Sequence, residues 1–130
     1  MKNLIVVVAV FSTCLLFSEV DEEKKYQNVT VGEVVAAMTK DKELLIIDVR
    51  TPKEFVEGHV AGARCIDMKE RDFKEEIESL DRTKHYLVYC RSGGRSRKAL
   101  AIFKELGFEN VLHMDEGFLG WLREGEPVSK

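Results

Sequence analysis

Cys90 closes an apolar run, Tyr86-Leu87-Val88-Tyr89, and is followed by Arg91-Ser92-Gly93-Gly94-Arg95-Ser96 and then by a stretch with helical spacing. A strand ending in cysteine, a loop with two glycines and a helix start together make a thiolate site. Peptide N–H groups of such a loop, and those left unpaired in the first helical turn, converge on the sulfur and stabilise negative charge. Arg91 and Arg95 add two permanent cations. A free thiol titrates near pH ~8.5, and surroundings of this kind lower that value, each unit being about 1.4 kcal/mol in favour of the thiolate. Cysteine also packs often as a small inert hydrophobe, and Gly-Gly can be only a turn. Here two glycines, two arginines and a helix start outweigh that bland reading. Cys90 is expected to be a nucleophile, or the acceptor of an atom, at neutral pH.

The elements that must position this loop are legible in order. Thr30-Val31-Gly32-Glu33 fits a capping box, and Val34, Val35 and Met38 continue it as an apolar helical stripe ending near Lys40. Leu44 to Ile47 is a continuous apolar run, the pattern of a strand buried on both faces, and leads into Asp48-Val49-Arg50. Thr51-Pro52-Lys53-Glu54 repeats the helix-start grammar. Gly58 to Ala63 reads as a turn and Arg64-Cys65-Ile66 as a short strand. Phe73, Ile77 and Leu80 give an amphipathic helix with an acidic outer face. After the Cys90 loop, Ala99, Ile102, Phe103 and Leu106 share one helical face, with Gly107 placed for a left-handed cap. Val111 to Met114 is the last expected strand, and Phe118 to Leu122 a closing helix. Strands alternating with helices predict an α/β fold, an open parallel sheet with helices on both faces. Ligands of such sheets bind beyond the carboxyl ends of the strands, where Asp48, Arg50 and Cys90 all fall. Asp48, Arg50 and Glu54 are expected to be structural, tying the Leu44–Ile47 strand to its helix near this rim. His59, alone in a turn, is expected to be a structural hydrogen-bonder rather than a general base.

Composition bounds what else the chain can be. At 130 residues, with 45% hydrophobic and 33% charged residues, it has room for one core and is not of disordered composition. A net charge of −3 gives no reason to expect nucleic acid, and basic residues around Cys90 on an acidic protein favour a small anion. Cys14, Cys65 and Cys90 have no paired C-x-x-C spacing, so no metal site or disulfide framework is indicated. Residues 1–18 stand apart, with Lys2 before an uncharged run from Leu4 to Phe17. That is the shape of a secretory signal, and the run is short for a membrane span of about 20 residues. The expectation is export to the periplasm, with a membrane anchor at residues 4–17 the second reading and a buried strand the third. Residues 19–27 read as a linker and 28–130 as the domain.

Three blocks carry a family resemblance covering about residues 28 to 128. Asp48-Val49-Arg50 with Glu54-Phe55, Gly58-His59-Val60-Ala61-Gly62-Ala63, and Cys90-Arg91-Ser92-Gly93-Gly94-Arg95-Ser96 together resemble the rhodanese-like sulfurtransferases. The ending Glu116 to Trp121 is similar to the family's close, with Glu116 where a glycine is common; Ala61 replaces a frequent proline. The resemblance implies a five-stranded parallel sheet, a Cys90 that carries sulfane sulfur as a persulfide, and no cofactor. It also implies a substrate-binding loop formed by Arg91, Ser92, Gly93, Gly94, Arg95 and Ser96. The expected partners are small sulfur anions, thiosulfate or polysulfide, with cyanide or a thiol as acceptor, on a chain acting as a monomer. The fold is shared with phosphatases whose loop holds five residues between cysteine and arginine. Here there are four, Arg91 to Gly94, which suits one transferred sulfur better than a phosphoryl group. A persulfide carrier or docking module is the alternative function, and a cysteine-dependent phosphatase the minor one.

Overall fold

The computed structural model describes residues 25–130. The leader read at residues 1–18 lies outside the described residues, as does most of the expected linker. The elements run β1 (Tyr26–Val29), α1 (Val31–Lys40), β2 (Leu45–Asp48), α2 (Pro52–Glu57), β3 (His59–Val60), β4 (Arg64–Cys65), α3 (Phe73–Glu78), β5 (His85–Tyr89), α4 (Gly94–Glu105), β6 (Asn110–Met114), α5 (Gly117–Arg123) and β7 (Val128–Ser129). Five strands pair in parallel in the order β1-β6-β5-β2-β4. Alternation along β5 separates two cores. Tyr86, Val88 and Cys90 face α3 and α4, packing with Phe73, Ile77, Ala99 and Phe103. Leu87 and Tyr89 face α1 and α5, packing with Val31, Val34, Phe118 and Trp121. Both faces are therefore covered, which is why Leu45–Ile47 of β2 and Tyr86–Tyr89 of β5 are continuous apolar runs rather than alternating ones.

Chain order creates the crevice. From β2 the chain moves outward to β4, then returns to lay β5 against the other side of β2 and continues to β6. The carboxyl ends of β2 and β5 form the switch point, with Asp48 opposite Tyr89. Cys90 is the next residue.

Side-chain grammar sets the helix boundaries. Both capping boxes form: Thr30 Oγ1 accepts the Glu33 N–H at 3.2 Å, and Thr51 Oγ1 that of Glu54 at 3.3 Å. Gly107, at φ 79°, follows α4, and Phe108 donates back to the Phe103 carbonyl while its ring packs edge-on against Phe103.

Two sequence expectations are corrected. Tyr26 and Gln27, the end of the expected linker, belong to β1, which pairs with β6 along its length. The Tyr26 hydroxyl anchors this strand by donating to the Phe108 carbonyl. Four residues with only one fully buried gave no periodicity to read. The Gly58–Ala63 turn likewise contains β3, paired antiparallel with β7 nearly 70 residues later, a partner that local sequence does not announce. Among the described residues, no helix is long and apolar enough to cross a membrane.

Candidate active site

Cys90 lies just past β5, 1% exposed, beneath the loop that follows it. Its sulfur accepts the Gly93 N–H at 3.1 Å and has the Ser96 hydroxyl at 3.2 Å. Burial works to raise the thiol's pKa. The Ser96 hydroxyl and the N–H groups of Ser96, Gly93 and Ser92 outweigh it, so the net shift is downward, toward the thiolate. Gly93 is required twice over: it adopts φ 101°, and a Cβ there would stand 2.4 Å from the Asp115 carbonyl oxygen.

The loop is held from α5. The N–H groups of Phe118 and Leu119, orphan donors of a helix start, bind the carbonyls of Cys90 at 2.8 Å and Arg91 at 3.1 Å. A trans peptide points its N–H opposite to its C=O, so fixing the Arg91 carbonyl toward α5 turns the Ser92 N–H the other way, toward the sulfur. This docking needs Gly117, whose φ is 64° and whose Cβ would meet the Arg91 carbonyl oxygen at 2.3 Å. Glu116 sits in ordinary helical conformation and has its own ties, to the Val31 N–H and to Arg123.

The two loop arginines differ. Arg95 forms a bidentate pair with Glu54, at 2.7 and 2.8 Å, both side chains about one quarter exposed. Glu54 also accepts from the Thr51 N–H and hydroxyl. Arg95 above all, with Thr51 adding to it against the opposing effect of burial, holds the Glu54 carboxyl well below the usual carboxylate range. Glu54 thus ties α2 to the cysteine loop rather than to β2, and Arg95 has its charge met at home. Arg91 is exposed, with no ion pair to it among the described residues. It borders a cleft of about 270 Å³ with Glu54, Gly58, Phe118, Leu119 and Leu122. A larger cavity, about 410 Å³, lies by the amino ends of the strands near Leu44 and His85, away from the cysteine.

Behind the loop is a buried polar frame. Arg50 binds Asp48 through Nε and Nη2, the latter at 2.7 Å, and donates to the Gly58 carbonyl at 2.7 Å. Its guanidinium lies 4.4 Å from the Phe118 ring centroid. The Tyr89 hydroxyl donates to Asp48 and accepts from the Val60 N–H, so Asp48 fastens β2, β5 and the β3 turn together. His59 stacks on Phe55, with Nδ1 2.8 Å from the Phe55 carbonyl oxygen, and does not join the Cys90 donors. Cys65, on β4, places its sulfur 3.4 Å from the Arg50 carbonyl oxygen. Burial, then Asp48 and Asp67, push its thiol up to about 11.

Sequence alone gives His113 no role beyond its place in the last strand. It is 1% exposed, with Nε2 2.6 Å from Ser96 Oγ and Nδ1 2.8 Å from Asn28 Oδ1. The available signal was a lone polar side chain on the α4-facing side of an apolar strand. Among the described residues, no three His, Cys, Asp or Glu side chains converge to hold a metal ion.

Fold and site together define an open parallel α/β protein with one cysteine set at the switch point inside an anion-stabilising loop. A family model described as the rhodanese-like domain matches residues 30–124, and the chain belongs to that family. The Bacillus subtilis protein YtwF, named as a sulfurtransferase, is 36% identical over 106 residues, covering 82% of this chain and 97% of its own. MoeZ of Mycobacterium tuberculosis, named as an adenylyltransferase/sulfurtransferase, is 30% identical over 103 residues; the match spans 79% of this chain but 26% of MoeZ. The crystal structure of a rhodanese-related protein from Thermoplasma volcanium superposes with a TM-score of 0.71 at 28% identity, over 80% of this chain and 98% of that one.

Proposed function

We propose that this protein moves sulfane sulfur from thiosulfate or a polysulfide, through a persulfide on Cys90, to cyanide or a thiol. The observation that carries the reading is the Cys90 sulfur among the Gly93 N–H, the Ser96 hydroxyl and the Ser92 N–H turned toward it. In the first step the thiolate attacks the outer sulfur of thiosulfate. A Cys90 S–S bond forms, the donor's S–S bond breaks, and sulfite departs with the electron pair. In the second step cyanide takes the outer sulfur as thiocyanate and the thiolate returns. The loop donors stabilise negative charge on the thiolate and on the persulfide that replaces it. Arg91 serves as the cation that draws in the donor anion, while Arg95, locked to Glu54, positions the start of α4.

Intact mass tests this directly. The purified protein should gain the mass of one sulfur atom with thiosulfate and lose it with cyanide as thiocyanate appears; no gain in mass would sink the reading. A persulfide carrier for a protein acceptor is the second reading, favoured by Leu119 and Leu122, which stand 40% and 48% exposed along the cleft beside Arg91. A carrier would load one sulfur yet turn over poorly with small acceptors. Export is part of the proposal, resting on Lys2 and the short apolar run alone. Cell fractionation with N-terminal sequencing should find a chain beginning near Glu19 outside the cytoplasm; an intact Met1 in the soluble cytoplasmic fraction would overturn export.

A further inference from the structure

We infer that His113 and Ser96 form a buried proton relay that ends on Cys90, with His113 holding the proton that leaves the sulfur. The proposal deepens the sulfurtransferase reading by assigning the thiolate's proton a destination inside the protein. It starts from a shortage. The Ser96 hydroxyl owns one proton, and three acceptors surround it: Cys90 Sγ at 3.2 Å, the Gly93 carbonyl oxygen at 3.2 Å and His113 Nε2 at 2.6 Å. His113 faces Asn28 Oδ1 through Nδ1, so Nδ1 is the ring's donor and Nε2, in the neutral ring, an acceptor. The Ser96 proton then goes to His113, and the serine oxygen is left to accept the Cys90 S–H.

Moving two protons along this line reverses it. The Cys90 proton passes to Ser96 Oγ as the Ser96 proton passes to His113 Nε2. The S–H bond and the old O–H bond break, a new O–H and an N–H form, and no electrons change hands. The products are a Cys90 thiolate facing a serine hydroxyl, and a His113 imidazolium donating from both nitrogens. Only in that state can Ser96 give its proton to the sulfur while its bond to His113 is kept.

Burial makes the exchange a coupled one. Cys90, Ser96 and His113 are 1%, 0% and 1% exposed, so bulk water is a poor proton acceptor here. Burial first, reinforced by Arg97, disfavours a charged His113, and Asp115 favours it from 4.0 Å. Asp115 is itself paired with Arg97 at 2.7 Å, and the thiolate, reached through the Ser96 hydroxyl, adds a second negative charge for the imidazolium. The groups facing the ring are Asn28 from β1, Ser96 and Arg97 from α4 and Asp115 just after β6, with Cys90 reached through Ser96. Cys90 and His113 therefore titrate as a pair. His113 acts on the sulfur through Ser96, as a positioning residue and not as one that touches substrate.

The test needs no sulfur donor, so its failure is separable from failure of the sulfurtransferase reading. Thiolate absorbance in the ultraviolet is followed against pH in the full chain and in His113→Gln, which keeps hydrogen-bonding capacity but cannot hold the proton. The Cys90 midpoint should rise by about one unit, lowering the thiolate population about tenfold below both midpoints. Ring-nitrogen NMR of the wild-type chain should show the His113 imidazolium persisting through the sulfur's midpoint and losing its proton only at a separate, higher midpoint, a pattern that does not depend on any variant folding. An unchanged midpoint in folded His113→Gln, or a His113 ring that keeps one neutral form while the sulfur titrates, would overturn the relay.

Discussion

The Cys90 sulfur accepts a backbone N–H beside the Ser96 hydroxyl, whereas the Cys65 sulfur faces the Arg50 carbonyl oxygen, an acceptor. Donors stabilise a thiolate and an acceptor stabilises the thiol, so the same side chain becomes reactive at one strand end and inert at the other. The consequence is measurable residue by residue. Cys90→Ser should fold with a hydroxyl hardly ionised at neutral pH, and should gain no sulfur from thiosulfate. Cys65→Ala should load one sulfur atom like the wild type, since a thiol pushed up to about 11 supplies almost no thiolate at pH 7. Mass spectrometry of both variants after thiosulfate decides it, and sulfur on a Cys90→Ser chain would move the chemistry elsewhere. At this scale the sequence was most informative about Cys90, because loop glycines, arginines and helix start are all its neighbours in the chain. It was least informative about Arg95. Its partner Glu54 lies 41 residues away, and nothing local distinguishes a cation paired in the fold from one offered to solvent.

Between elements, the loop owes its shape to α5. Two N–H groups of that helix hold the Cys90 and Arg91 carbonyls, and Gly117 permits the approach. Gly117→Ala would need both a left-handed alanine and relief of the 2.3 Å overlap with the Arg91 carbonyl. The two effects together should cost about 3 kcal/mol and loosen the donors around the sulfur. Gly107→Ala is the control. It carries the same left-handed penalty, at φ 79° after α4, but its Cβ would enter open space. It should cost only about 1 kcal/mol and leave sulfur loading unchanged. Denaturant midpoints and loading rates measured on the two variants separate the roles; equal losses in both would mean that the α5 contact does not shape the loop. Elements whose signals are local were legible in advance: both capping boxes, the apolar runs of β2 and β5, and the Gly107 stop. β1 was not, being short and mostly polar at the sheet edge, nor was the β3–β7 pair, which depends on residues far apart in the chain. His113 was missed for the same reason, since its meaning comes from α4 folding back to place Ser96 against β6.

For the molecule as a whole, the Glu54–Arg95 pair joins α2 to α4 across the top of the switch point and makes the fold sensitive to acid. Arg95 chiefly, with Thr51, depresses the Glu54 carboxyl when folded, while the unfolded chain returns it to about 4.3. At acid pH the unfolded state therefore binds the proton more readily than the folded one, and stability rises with pH through that region. The pair's contribution is fully present above about pH 4.5 and is lost progressively as pH falls from there toward the depressed folded value. It is also partly screened, because both side chains reach solvent. Urea midpoints measured from pH 7 down to pH 3 should decline most steeply below about pH 4.5 in the wild type. Glu54→Gln should start lower at pH 7, having lost the charged bond to Arg95, and should decline less on acidification. If the two curves instead run parallel across the acid range, the acid sensitivity belongs to other carboxylates and the Glu54–Arg95 pair contributes nothing to it.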